Sequence, residues 1–487
     1  MNVSVIIATY NRVDIVIELL KRWEDVKKAS KYSFELIFSD DGSTDETIEV
    51  LKQNRELDIK ILENKHSGAS GARNTAISEC IGEIILFTGD DIFPALDFVD
   101  KHYESYLKNG EDYATLGKLI WPDDINLSYL MHHITDVGYE QFSFPNLPAY
   151  SVVDFRHFYT SNISISQKKL LELDKFFDMT FDKYGFEDIE LGYRLFKNGV
   201  KIFYNPDIIG EHYHIYNKVK KFCKRQKSAG ETLITFYELH PEIDNYIKIG
   251  IEDLKQNKED FLAHNSLIKV KIQNFILKVL LFFLLIFSEI TEFVTNKFKF
   301  KILKKLCSFL LCRLFRIYFY IGVLDSLFKH DEDFLKLKYI YLYKFFNGGY
   351  LQIFYSEKEE FTEKNSKKKY LIGKKFEEFN FEIPNDVKKI RFDPYNGYCK
   401  IKIIELNKNK KEKLTFRSNA KEKNEGKLNF LNTIDPIIIL ENELKKGDNI
   451  NIHYEISYFY TKQKAYFLLS KIKKILKLRS GNVKKTV

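Results

Sequence analysis

Cysteine is scarce in this chain of 487 residues, with five at positions 80, 223, 307, 312 and 399. The count is odd and no two stand as a CxxC pair. A disulfide framework and a zinc site are therefore not expected, and a reducing compartment fits. Proline (9), methionine (3) and tryptophan (2) are also few. Long apolar runs are lacking too. The strongest, residues 279–288 (VLLFFLLIFS), is bracketed by Lys278 and Glu289. A spanning helix needs about 20 apolar residues, so this run predicts a buried or interfacial helix and no membrane span. The first residues, MNVSVIIATYN, show no basic stretch leading into a long apolar one, so no signal peptide is expected.

What is present suffices for a sizeable core. Hydrophobic residues make up 45% of the chain, which excludes wholesale disorder. The length leaves room for two to four domains at roughly 100–200 residues each. The formal net charge of +8 is uneven: residues 218–227 (KVKKFCKRQK) and 471–485 are basic. Such stretches either form solvated faces or attract phosphates, nucleic acid or an anionic membrane.

Residues 3–9 (VSVIIAT) read as a buried strand, followed by helical spacing over residues 14–28. Residues 34–38, 59–62 and 83–87 read as further strands, with helices at 46–53 and 70–80 between them. This alternation predicts βαβ units and a mostly parallel α/β sheet. Residues 242–345 read as helical. Residues 346–460 carry short alternating runs between turn residues and read as an all-β, sandwich-like module. Residues 461–487 hold a basic amphipathic helix candidate at 464–478. The expected domains are thus 1–241, 242–345, 346–460 and 461–487.

Acids stand where chemistry is expected in such a sheet. Ligands bind beyond the carboxyl ends of parallel strands. Asp40 and Asp41 follow one strand, and Asp90 and Asp91 another. Adjacent carboxylates in apolar surroundings repel unless a cation compensates, and Mg²⁺ or Mn²⁺ would do so. A turn and helix cap is the competing reading, evenly weighted for Asp40–Asp41. Glu187 and Asp188 open a helix, where they either cap it or face a cleft as a general base. His212 and His214 form an HxH pair after a short strand at 201–204, which places both rings on one face. That pair is as readily structural as metal-binding.

In order, these segments resemble family-2 glycosyltransferases of the GT-A fold, over about residues 2–240. The resemblance rests on VSVIIATYNR (3–12), SDDGSTDET (39–47), SGASGARNTAI (67–77), GEIILFTGDDIFP (82–94) and GFEDIELGYRLFKNG (185–199). It implies that Ala8, Thr9 and Tyr10 line a base pocket. It implies that Asp41 accepts a hydrogen bond from the base, commonly uracil, and that Asp90 holds the ribose. Asp91 would bind Mn²⁺ or Mg²⁺ bridging a diphosphate, with His212 or His214 completing the shell. Arg73–Asn74 matches a family segment near the nucleotide sugar. Asp188 would be the general base of an inverting transfer, with Glu187 beside it.

The implied partners are a nucleoside-diphosphate sugar, a UDP-sugar foremost, and a glycan or lipid-linked acceptor of bacterial surface polysaccharide or lipopolysaccharide. Nucleic acid is not among them. The implied location is cytoplasmic, with peripheral contact at the inner membrane. Two positions depart from the family pattern. Gly89 stands where many relatives carry the first acid of a DxD triplet, and Phe186 replaces a common Trp. A nucleotidyltransferase would need a Gly- and Lys/Arg-rich loop near residues 8–12, which read ATYNR. A non-catalytic glycan-binding or scaffold protein is the third reading, and the intact acids argue against it. In the β module, Tyr395, Tyr398, Tyr458, Phe459 and Tyr460 are either sugar-stacking or core residues.

Overall fold

The computed structural model describes residues 1–458 apart from 248, 264–266, 299, 348–349, 357–365, 371–375, 384–388, 394–398, 410–411, 415, 419–421, 425–426, 430–437 and 441–443. The tail helix candidate at 464–478 and the aromatics Tyr395, Tyr398, Phe459 and Tyr460 lie outside the described residues, and only the backbone of Tyr458 is described. The chain forms two compact units. One comprises residues 1–248 and 278–336, the other residues 249–277 and from 337 on.

The first unit begins with β1 (Val3–Thr9), α1 (Val13–Ala29), β2 (Phe34–Asp40), α2 (Thr47–Gln53), β3 (Ile59–Glu63), α3 (Ala69–Ile77) and β4 (Ile84–Gly89). The expected βαβ alternation is therefore present. β5 (Ile92–Pro94), α4 (Phe98–Asn109), β6 (Tyr113–Ile120), α5 (Tyr129–His132), β7 (Ser151–Val153), β8 (Asn162–Ser166) and α6 (Gln167–Leu171) follow. Then come α7 (Glu187–Lys197), β9 (Lys201–His212) and α8 (Val219–Leu239). The strands form one sheet in the order β3-β2-β1-β4-β8-β6-β9-β5, with β7 beside β9. β3, β2, β1 and β4 run parallel, β8 is antiparallel to its neighbours, and β6 and β9 are again parallel.

Alternate residues of β1 serve two cores, as the pleat requires. Val3, Val5 and Ile7 pack with Leu19, Trp23, Phe98 and Val99 from α1 and α4. Ile6 points the other way, into a cluster with Ala76 of α3 and Leu191 and Leu195 of α7. Helices on both faces explain why these strands read as unbroken apolar runs.

β9 extends further than the strand expected at 201–204. It pairs with β6 at 201–204 and again at 209–211, with a register shift between. The irregularity spans Pro206, which has no N–H to give to the ladder. Its second half carries His212 to the edge of the cleft.

Helix α9 (Asp244–Ile247) and α10 (Ile251–Ala263) precede two long helices, α11 (Leu267–Phe298) and α12 (Lys301–Leu327). The expectation that no helix is long enough to span a membrane is corrected here. Val270–Phe298 and Lys301–Leu327 are each long and apolar enough by length and composition. Lys278 and Glu289 do not end α11, because polar residues on one stripe leave the helix intact. Within the first unit α12 packs on α8 at Gly230 and Gly322. A Cβ on Gly230 would strike the backbone carbonyl of Phe319, and one on Gly322 that of Lys227.

In the second unit, described strands between Tyr350 and Tyr458 form a five-stranded and a six-stranded antiparallel sheet. The first buries Ile390, Phe392, Ile438 and Leu440, and the second Leu406, Ile450 and Ile452. The expected all-β region is therefore present as two antiparallel sheets.

Candidate active site

The carboxyl ends of β1 and β4 open onto a cavity of about 350 Å³. Of the residues singled out from the sequence, Ala8, Thr9, Tyr10, Asp41, Arg73, Asp90, Asp91, Glu187, Asp188, His212 and His214 line it, whereas Asp40 and Asn74 do not. They come from residues spread over more than two hundred positions. The parallel strands bring their ends to one edge, and α3, α7 and the end of β9 close the sides.

Asp90 and Asp91 share Arg12, whose Nη2 lies 3.6 Å from Asp91 Oδ2, but differ in their other partners. Thr9 Oγ1 donates to Asp90 Oδ2 at 2.9 Å, and Arg12 Nε lies 3.6 Å from the same oxygen. Asp91 Oδ2 lies 3.2 Å from His214 Nδ1 and 3.6 Å from His212 Nε2. Burial, with the neighbouring Asp91 charge, pushes the Asp90 carboxyl up to about 7. Burial would also raise Asp91, but His212 and His214 outweigh it and hold its carboxyl well below the usual range. Gly89 makes this arrangement fit, since a Cβ there would stand 2.9 Å from Asp91 Oδ1 and 3.1 Å from the Ile92 side chain.

The ligating atoms of Asp91, His212 and His214 all lie within 4.8 Å of one another. A carboxylate with two imidazoles suits Mn²⁺, whereas Mg²⁺ prefers oxygen alone. Trp121 stacks on His212 with ring centroids 5.2 Å apart and fixes its orientation.

Asp40 and Asp41 differ as well. Asp40 Oδ2 accepts from the backbone N–H groups of Gly42 and Ser43, at 2.9 and 2.8 Å. It is a turn-forming residue. Asp41 reaches the cleft, but its carboxylate also accepts from Ser67 N at 2.7 Å and Gly68 N at 2.9 Å. These bonds fix the approach to α3. An ionised carboxylate has about four acceptor positions, so room is left for a further donor. Tyr10 stands at the mouth, its ring 4.6 Å from that of His66. Asn74 faces away from the cleft and clamps the backbone of Phe177 through both side-chain atoms at 2.9 Å.

On the opposite wall α7 presents Glu187 and Asp188. Its start is unusual, because Gly185 has φ 114° and Phe186 adopts φ 64°. A bulky residue in the left-handed region is strained, and such strain concentrates at functional sites. Burial first, then the adjacent Glu187 charge, raises the Asp188 carboxyl to about 7. Arg73 Nη1 lies 3.6 Å from Glu187 Oε1 and makes no hydrogen bond among the described residues. Glu190, the third acid of the helix, is structural. It is fully buried between Arg194 Nε at 2.7 Å and His240 Nε2 at 2.9 Å.

Sequence reasoning missed several wall residues, among them Arg12, Gln141, Phe142, Tyr184, Tyr216 and Arg225. Arg225 belongs to the basic stretch 218–227 and stands 3.6 Å above the Tyr184 ring. Together Arg12, Arg73 and Arg225 set three guanidinium groups around one cavity. A charge run alone does not reveal which of its members turns inward.

Residues 4–171 match the family described as Glycosyl transferase family 2. A dolichyl N-acetyl-alpha-D-glucosaminyl phosphate 3-beta-D-2,3-diacetamido-2,3-dideoxy-beta-D-glucuronosyltransferase of Methanococcus voltae is 26% identical over 47% of this chain and 71% of its own. A hyaluronan synthase of Pasteurella multocida is 28% identical over 41% of this chain and 23% of its own. The poly(ribitol-phosphate) beta-N-acetylglucosaminyltransferase TarS of Staphylococcus aureus is 32% identical over 22% of this chain and 20% of its own. The chain thus spans only about a fifth of the length of the latter two. Among solved structures, the mannosyltransferase PcManGT of Pyrobaculum calidifontis is similar over 68% of this chain and 88% of its own. Its TM-score is 0.41 at 15% identity. The acids beyond β4 and at the start of α7 thus stand around one cleft, in an α/β unit of which residues 4–171 match the glycosyl transferase family 2 model.

Proposed function

We propose that the protein is an inverting, metal-dependent glycosyltransferase that moves a sugar from a nucleoside-diphosphate sugar to a glycan or lipid-linked acceptor. The observation that carries this reading is the opposition of two walls in one cavity, Asp91 with His212 and His214 on one side and Asp188 on the other. Asp91, His212 and His214 would hold a divalent ion, Mn²⁺ before Mg²⁺, which would supply neutralisation of charge on a departing diphosphate. Arg12, Arg73 and Arg225 are the cations placed to bind its phosphate oxygens. Ala8, Thr9, Tyr10 and Asp41 line the base end, and Asp90, held by Thr9, serves the ribose.

Asp188 takes the proton from the acceptor hydroxyl as that oxygen bonds to the anomeric carbon. The bond from that carbon to the diphosphate oxygen breaks with its electron pair, and the anomeric centre inverts. A base whose carboxyl titrates near neutrality suits this work. Glu187 keeps that carboxyl high and pairs with Arg73. The donor is a UDP-sugar foremost, and the setting a bacterial surface polysaccharide or lipopolysaccharide. The relatives' acceptors, a dolichyl-linked sugar and a poly(ribitol phosphate), support a lipid-linked or polymeric acceptor.

The membrane contact comes from α11 and the start of α12. One stripe of α11 faces its own unit: Glu292 accepts from Leu130 N, Asn296 Oδ1 from Tyr129 N at 2.6 Å, and Glu289 from Lys220 N at 2.8 Å. The opposite stripe, Leu280, Phe283, Phe287, Ile290 and Phe293, is exposed, and Phe293 keeps 67% of its surface. Lys301, Lys304, Lys305 and Arg313 line a groove on α12. A helix bound along one side with apolar residues on the other lies in the membrane interface, and the cations favour anionic lipid.

A screen of UDP-, GDP- and dTDP-sugars with Mn²⁺ tests the reading. Release of a nucleoside diphosphate, lost in Asp91→Ala, is expected. Release of pyrophosphate, or turnover unchanged in Asp91→Ala, overturns it.

A further inference from the structure

Outside the cleft, three side chains of metal-binding type converge within the first unit. His133 comes from a single π-helical turn, His133–Val137, directly after α5. Such turns recur at functional sites. Glu140 follows on the next loop, and Cys312 stands on α12, 179 residues from His133. His133 Nε2 is 3.6 Å from Cys312 Sγ and 3.4 Å from Glu140 Oε1. The three donor atoms lie within 4.8 Å of one another.

These separations have a simple meaning. With Zn–S about 2.3 Å and Zn–N or Zn–O about 2.05 Å, the edges of a regular tetrahedron are roughly 3.5 Å from nitrogen to sulfur and 3.3 Å from nitrogen to oxygen. The observed pair matches both. Hydrogen bonding alone accounts for the cluster poorly. His133 Nε2 offers one proton to two neighbours, and both His133 Nδ1 and Glu140 Oε2 are buried with no hydrogen-bond partner among the described residues. The backbone is also shaped for this carboxylate, because a Cβ on Gly138 would overlap both oxygens of Glu140. Cys312 is the exposed member among the described cysteines and lines the open groove on α12, which supplies a path of entry.

We propose that His133, Glu140 and Cys312 form a zinc site, separate from the metal site of the cleft. One imidazole, one thiolate and one carboxylate offset the charge of Zn²⁺ and leave a fourth position for water. Binding displaces the thiol proton to solvent. The ion ties the loop after α5 to α12. Gln141 and Phe142, next along that loop, line the catalytic cavity, so the clamp holds that wall in place. A zinc site was not expected from the sequence, because no CxxC pair or other short spacing joins ligands that only the fold brings together.

Co²⁺ titration of the full chain tests this independently of sugar transfer. A thiolate-to-cobalt charge-transfer band is expected at one equivalent, displaced by Zn²⁺, absent in Cys312→Ser and weakened in Glu140→Gln. Zinc should also protect Cys312 from iodoacetamide, and amides of residues 138–142 should exchange faster in Cys312→Ser. Cys312→Ser is near-isosteric, and an unchanged melting temperature without metal shows that the fold is kept. Lack of the band in the wild type, its persistence in Cys312→Ser, or unprotected Cys312 in the presence of zinc overturns the proposal.

Discussion

Asp91 Oδ2 and His214 Nδ1 lie 3.2 Å apart, although 123 residues separate them in the chain. The contact joins the residues just past β4 to those just past β9, on the proposed metal side of the cleft. Removing either partner should loosen the ion. In His214→Ala, Mn²⁺ affinity measured by electron paramagnetic resonance is expected to fall about tenfold or more. An unchanged affinity would remove His214 from the shell.

The raised Asp188 carboxyl sets the acid limb of the pH profile. The base works only when ionised, so kcat/KM should climb as pH rises and level off above about 7. Glu187→Gln removes a negative neighbour and should move that limb to lower pH. A limb that stays in place would show that another group is titrating.

The same residue affects stability, with the opposite sign to a salt-bridged acid. Its carboxyl is raised in the folded state from 3.8 to about 7. The folded protein therefore holds this proton more tightly than the unfolded chain. Ionising it destabilises the fold progressively between those pH values, and the penalty is complete above the upper one. Asp188→Asn should accordingly melt higher than wild type at pH 8, with the gain vanishing toward pH 4. Equal melting temperatures at both pH values would contradict the shift.

Arg225 is expected to matter for the donor. Arg225→Ala should raise donor KM about tenfold or more, as for loss of one charge-assisted hydrogen bond. An unaltered KM would return the residue to the role of a surface cation braced on Tyr184.

The apolar stripe of α11 should bind vesicles. Wild type is expected to sediment with phosphatidylglycerol vesicles and less so in high salt. Phe283→Asp with Phe287→Asp should abolish sedimentation while transfer to a soluble acceptor continues. Sedimentation of the double variant would refute the interfacial role.

Much of the cleft was legible in the sequence because strand ends carry their own signal. An apolar β-branched run followed at once by Asp90–Asp91 marks both the strand and what stands beyond it. The HxH spacing and the Glu187–Asp188 helix start were visible in the same way. Arg225 was not, since a basic stretch does not show which side chain turns inward. Nor was the length of α11. Glu289 and Glu292 interrupt its apolar run in the sequence, yet in the fold they lie on the stripe that binds Lys220 and Leu130. The His133–Glu140–Cys312 cluster had no local signature at all.

The central claim is that Asp188 performs transfer and does not hold the donor. Asp188→Asn, assayed for donor binding by calorimetry with Mn²⁺ and for transfer by nucleoside diphosphate release, tests it most directly. The account predicts an unchanged donor Kd and a kcat lower by about a thousandfold. Near-normal transfer, or a loss confined to donor binding, would contradict it.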